Sequence, residues 1–285
     1  ADELSLYRYW LEKLPADDPL HAELEAVEGA EKEIGDRFYQ EIVFGTAGLR
    51  GICGAGTNRM NRLTVGRATK GIADFILDSG EDPKAGVAIA YDCRYFSKEF
   101  SELAASILMG SGIHVYLFPS MRPTPELSFA IRKYGTVSGI NMTASHNPKE
   151  YNGYKVYWSD GAQLPPQHAE EIARRMETND IFRSPKTMDF DEAVSKGLIQ
   201  FIGEETDEAF LQEVLAQAVN KETVAAVADD LKIVFTPFHG CGWRLVPEAL
   251  KRLGIKHLFP VEEQMVLDGD FPTVKSPNPE NPEGF

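Results

Sequence analysis

Along residues 4 to 40 the apolar positions return at helical spacing. Leu4, Tyr7, Leu11 and Leu14 share one face, and Asp18-Pro19 reads as an N-cap with proline at the first helical position. The stretch FGTAGLRGICGAGTNRMN then breaks this periodicity, with five glycines between Phe44 and Gly56. Thr64 is placed to cap the next helix, whose apolar face uses Val65, Ala68, Ile72 and Ile76.

From there the pattern alternates. GVAIAY (86–91), IHVYLF (113–118) and VSGINM (137–142) are short apolar runs of strand type. Between them Ser97 caps a helix carrying Phe100, Leu103, Ala104, Ile107 and Leu108, and Thr124-Pro125 opens another. Residues 154–164 read as a hairpin turned by Asp160-Gly161, and 183–197 as a surface connection. A helix over 207–219, a strand over 231–236, a helix over 244–253 and a strand over 255–259 form a second strand–helix–strand unit. Strands alternating with helices predict sheets with parallel pairs covered by helices. The expected fold class is therefore α/β: two α/β/α domains with mixed sheets, the second truncated, after a helical extension. The expected divisions are 1–40, 41–205 and 206–285. No short internal repeat appears.

A length of 285 residues with 43% hydrophobic content suffices for two compact domains. The 29 basic and 44 acidic side chains give a net charge of −15, which opposes general attraction to nucleic acid. Any phosphate site must then be a local cluster of cations and backbone N–H groups. No apolar run approaches the ~18 residues of a membrane helix, and the acidic start ADELSLYRYW lacks the pattern of a secretory signal. Cys53, Cys93 and Cys241 form no CxxC pair and read as reduced thiols. A cytoplasmic location without membrane or nucleic-acid partners is the expectation.

Chemistry concentrates where parallel strands end, since ligands of open sheets bind beyond the carboxyl ends. Ser145 follows strand 137–142, Asp92 and Arg94 follow 86–91, and Arg122 follows 113–118. A hydrolase reading fails: no G-x-S-x-G elbow is present, and His146, adjacent in sequence, is a poor base for Ser145. A serine that carries a phosphoryl group needs cations and backbone donors instead. Lys149, Lys155 and the glycine-rich GTAGLRG with Arg50 supply them. Asn147-Pro148 and Asn152-Gly153 read as turn dipeptides that shape the loop.

TASHNP followed by YNGYKVY resembles the phosphoserine loop of the α-D-phosphohexomutases, the phosphoglucomutase and phosphomannomutase enzymes. The resemblance extends to GTAGLRG (45–51), NRMN (58–61), YDCRYFS (91–97) and TPFHGCG (236–242), and is greatest to the long phosphopentomutase-like branch. It implies a four-domain enzyme whose phosphoserine exchanges a phosphoryl group with hexose phosphate through a hexose 1,6-bisphosphate. Carried over, Ser145 is the phosphorylated residue and ligates Mg²⁺ through its phosphate. Lys155 and Arg50 flank that phosphate, and His146 matches the motif histidine. Thr46, Gly48, Arg59, Asn147 and Lys149 are expected to bind phosphate or substrate; Arg62 and Arg67 are weaker candidates, since helix-surface arginines are usually solvated. The family's acidic metal loop has only DGDFPT (268–273) as a likeness, where Pro272 and Thr273 replace its last Asp and Arg. Asp268 and Asp270 therefore read as a solvated turn, and the chain as the N-terminal, inactive part of a longer enzyme. HGCGWR (239–244) lacks the third glycine of a dinucleotide fingerprint. The competing expectation is a non-catalytic sugar-phosphate or protein-binding module that has kept the loop.

Overall fold

The computed structural model describes residues 2–285. Its first three helices, α1 (Glu3–Lys13), α2 (Pro19–Glu25) and α3 (Glu31–Phe38), form the predicted extension. Asp2 and Asp18 cap the first two through their carboxylates. The buried face is Tyr7, Trp10 and Leu14 rather than one that includes Leu4, which stays exposed. These side chains form a separate small core with Leu24, Ile34 and Phe38.

The main sheet has six strands: β1 (Leu49–Ile52), β2 (Val87–Tyr91), β3 (Val115–Leu117), β4 (Ser138–Met142), β5 (Tyr151–Trp158) and β6 (Ile199–Phe201). Their spatial order is β1-β5-β4-β2-β3-β6. The β4-β2-β3-β6 run is parallel, whereas β5 lies antiparallel between β4 and β1. One face is covered by α4 (Arg62–Asp78), α5 (Ser97–Gly110) and α7 (Pro166–Thr178), and the other by α6 (Thr124–Tyr134). Strands β2 and β4 are buried throughout, as parallel strands covered on both faces must be.

Several local expectations are corrected. Asn61, not Thr64, caps α4; Thr64 completes a reciprocal capping box from the third helical position. Ser97 does not cap α5: the residue before that helix is Phe96, at φ 69°, and the Ser97 hydroxyl donates to Asp92. The glycine-rich stretch contains strand β1, and α8 (Phe190–Ser195) and β6 lie within or just after the expected surface connection. Asn152-Gly153 is no turn but sits inside β5. The reason is contact: a Cβ on Gly153 would stand 2.3 Å from the Thr143 carbonyl oxygen. After β5 the chain turns through Asp160 and Gly161 and returns by a single bridge from Gln163 to Tyr157.

The remaining unit contains α9 (Glu204–Ala216), α10 (Lys221–Val227), β7 (Lys232–Phe235), α11 (Gly242–Arg252) and β8 (His257–Pro260). Its sheet has two parallel strands among the described residues. α9 packs on α6 through Phe129 and Phe210, with ring centroids 5.5 Å apart. Arg122 fixes this contact with a two-pronged bond to Asp207, at 2.6 and 3.0 Å. Among the described residues no helix is long and apolar enough to cross a membrane.

Candidate functional site

Ser145 projects from the loop between β4 and β5, just beyond the carboxyl end of β4. Its backbone is in the left-handed region, at φ 57°, a conformation uncommon for a residue with a Cβ and one that holds only when its surroundings enforce it. The surroundings are visible. The Thr143 hydroxyl accepts the Ser145 amide at 3.0 Å. Arg94, buried beneath the loop, donates to three of its carbonyl oxygens, Ser145 at 3.1 Å, Asn147 at 2.6 Å and Pro148 at 2.9 Å, and to that of Tyr151 at the start of β5, at 3.1 Å. Arg94 thus belongs to the loop's scaffold, and its guanidinium is occupied by backbone.

Asp92 orients this scaffold in turn. One carboxylate oxygen accepts the Arg94 amide at 2.9 Å and the Ser97 hydroxyl at 2.7 Å, and the other faces the Arg94 Nε at 3.4 Å. Burial pushes the Asp92 carboxyl upward, and hydrogen bonds from Thr143 and Ser97 together with the Arg94 charge oppose that shift. Asn152 ties the same region to β5, donating to the Tyr95 carbonyl and the Ser97 hydroxyl, each at 3.0 Å.

Ser145 and His146 are exposed on a cavity of about 460 Å³. Arg122, Thr124 and Asn141 line it from the main sheet, and Phe238, Cys241 and Phe271 from the second unit. The ring of Phe271 lies 5.3 Å from the Arg94 guanidinium. Sequence reasoning passed over this second wall, because nothing in TPFHGCG or DGDFPT shows that they fold back against β4. It also missed Thr143, although a hydroxyl two residues before a turn is a known means of holding one.

The flanking cations take different positions. Arg50, on β1, donates to the Asn147 side chain at 3.3 Å and remains exposed. Lys155, on β5, lies opposite Asn141 of β4, so both side chains share a sheet face. It is half-buried. Burial, then the nearby Arg50 charge, holds the Lys155 ammonium below the ordinary lysine range, while Asp92 pulls the other way. Lys149 is exposed and pairs with Asp270 at 3.4 Å, whose other oxygen accepts the Tyr95 hydroxyl at 2.8 Å.

The other predicted contacts lie elsewhere. Arg59 is buried and bound to Asp36 of α3 at 2.6 Å, and does not line the Ser145 cavity. Arg62 pairs with Asp18 and Arg67 with Glu41. Thr46 is exposed on the turn before β1. Gly48, at φ 81°, lets that turn press on β5, where a Cβ would meet the Tyr154 carbonyl oxygen at 1.8 Å. The three cysteines are free, and burial pushes the Cys53 and Cys93 thiols up to about 12.

Residues 41–182 match the family model "Phosphoglucomutase/phosphomannomutase, alpha/beta/alpha domain I", and residues 208–285 match that of domain II. The chain belongs to the α-D-phosphohexomutase superfamily. A phosphoglucomutase of Staphylococcus haemolyticus is 40% identical over 252 residues, which is 87% of this chain and 44% of that protein. A phosphopentomutase of Pongo abelii is 36% identical over 268 residues, 90% of this chain and 43% of that protein. The chain therefore spans about half the length of the curated relatives it matches. A crystal structure of a phosphoglucomutase/phosphomannomutase family protein from Burkholderia thailandensis shares the fold, with a TM-score of 0.61 and 21% identity over 85% of this chain and 47% of that one.

Proposed function

We propose that this chain carries the phosphoryl-donating half of a phosphohexomutase, with Ser145 as the phosphoryl carrier and hexose phosphates as substrates. The observation that carries the reading is the presentation of Ser145. It is a left-handed serine at a strand's carboxyl end, open to a cavity and locked from below by Arg94. In the proposed step the bond between phosphorus and the Ser145 Oγ breaks as one to a hexose phosphate hydroxyl oxygen forms. The hydroxyl proton passes by way of the neutral amine of Lys155 to the departing Ser145 Oγ. The hexose 1,6-bisphosphate then returns its other phosphoryl group to Oγ, and the serine proton passes by way of the same amine to the departing sugar oxygen.

Lys155 suits that exchange because its lowered ammonium reaches the neutral form more readily than a solvated lysine. Arg50 and Asn147, joined across the loop, are assigned to the phosphate oxygens, and His146 to the cavity side of the substrate. Transfer of this kind rests on positioning and on neutralising developing charge. The family resemblance implies Mg²⁺ as part of that neutralisation. The side chains present do not fit a cage for it, since among the described residues no three His, Cys, Asp or Glu side chains cluster. Asp268 and Asp270 are engaged with backbone, Lys149 and Tyr95. The divisions 1–40, 41–205 and 206–285 are proposed as a helical extension, the phosphoserine domain and part of the second domain.

A coupled assay for conversion of glucose 1-phosphate to glucose 6-phosphate tests the reading. The whole protein should turn over at about 1–10³ per second. Ser145→Ala and the 285-residue chain alone should both stay at background. Unimpaired turnover by Ser145→Ala would overturn the assignment.

A further inference from the structure

A second cavity, of about 820 Å³, lies in the groove between α4 and α5 and is closed by residues 178–187 after α7. It shares no lining residue with the Ser145 cavity. Five cationic side chains face it (Arg62, Arg67, Lys70, Arg183 and Lys186) against one acid, Asp180. In a chain of net charge −15 this is a local reversal of sign.

Three of these cations already have carboxylate partners: Asp18, Glu41 and Asp74. Arg183 and Lys186 are exposed and make no ion pair among the described residues. More telling are two donors that lack acceptors. Arg67 is buried, with its side chain 6% exposed, and its Nε–H has no acceptor. The Asn179 Nδ2 in the same wall is also buried without an acceptor. Two buried donors without acceptors in one cavity are a costly arrangement unless something there accepts from them. Both are donors, and Arg183 and Lys186 line the same cavity. An anion answers all four.

We infer that this groove is a binding site for a compact phosphorylated small molecule, distinct from the Ser145 site. The phosphate oxygens would accept from Arg67 Nε and Asn179 Nδ2 and be neutralised by Arg183 and Lys186. Leu63, Leu103 and Ile107 provide an apolar floor for the rest of the molecule. Charge-assisted bonds of this type are roughly twice as strong as neutral ones, and a recessed site is screened less by salt than a surface pair.

Inorganic pyrophosphate is a suitable probe, followed by titration calorimetry on the 285-residue chain at low salt. The Ser145 loop is expected to take pyrophosphate too, so the two sites are separated by mutation. Arg50→Ala with Lys155→Met should remove one binding event and leave the other. Arg183→Ala with Lys186→Ala, on an exposed loop where folding is insensitive, should weaken the remaining event about tenfold or more. Asn179→Leu should weaken it as well, with an unchanged circular dichroism spectrum. Absence of any pyrophosphate binding outside the Ser145 site would overturn the proposal. So would binding that ignores the Arg183/Lys186 and Asn179 changes, because the buried donors would then be satisfied by water alone.

Discussion

At the scale of single residues, the serine loop separates positioning from chemistry. In the sequence Arg94 is one of the polar residues that follow strand ends, two positions after Asp92. Burial and four carbonyl acceptors make it the loop's internal support. Lys155 has the reverse history. Alternation along β5 sets it on the face opposite Val156 and Trp158, where a lysine ordinarily faces solvent. Its half-buried place beside Asn141 and the Arg50 charge suit a proton carrier better. In the whole protein, Lys155→Met should lower kcat by about 10²-fold or more, the usual scale for a lost acid–base group. Its melting temperature should stay close to the unsubstituted value, since a half-exposed lysine adds little stability. Unchanged kcat would return Lys155 to a solvated role and leave Arg50 as the leading cation.

At the scale of elements, strands with continuous apolar runs were legible and those made by close contact were not. Strands β2 and β4 announce themselves as VAIAY and SGINM, buried on both faces. β1 hides in a glycine-rich run, because Gly48 and Gly51 serve contact with neighbouring chain rather than flexibility. Asn152-Gly153 deceived for the same reason: a dipeptide that usually turns is here a strand segment admitting the Thr143 carbonyl. Gly153→Ala would place its methyl group 2.3 Å from that oxygen. It should therefore cost about 1–3 kcal/mol, the usual penalty for overpacking, and loosen the Ser145 loop. A urea midpoint equal to that of the unsubstituted chain would show that β4 and β5 separate without strain. The candidate site was legible wherever it is one contiguous loop. Its second wall, Phe238, Cys241 and Phe271, depends on packing between units that no local pattern encodes.

At the scale of the whole molecule, the two units meet over a buried charge cluster. Arg122 holds Asp207 while Glu126, fully buried, has no donor for either oxygen. Burial first, and then the Asp207 carboxylate, push the Glu126 carboxyl well above its ordinary value of 4.5, so that it stays protonated and Asp207 carries the charge. A folded-state value raised in this way gives stability that is complete below 4.5 and is lost as pH rises towards the raised value. Urea midpoints taken at about pH 5 and about pH 9 should therefore fall more for the unsubstituted chain than for Glu126→Gln, which has nothing to titrate there. Equal slopes would mean that Glu126 is ionised in the folded state.

The central claim, that Ser145 carries the phosphoryl group, is tested most directly by locating phosphate in the whole protein. The protein would be purified from the cells that make it, incubated with glucose 1,6-bisphosphate, digested and mapped by mass spectrometry. The account predicts a single phosphoryl group on Ser145, on the peptide that contains TASHNP. Stoichiometric phosphate on any other residue, with Ser145 bare, would contradict it.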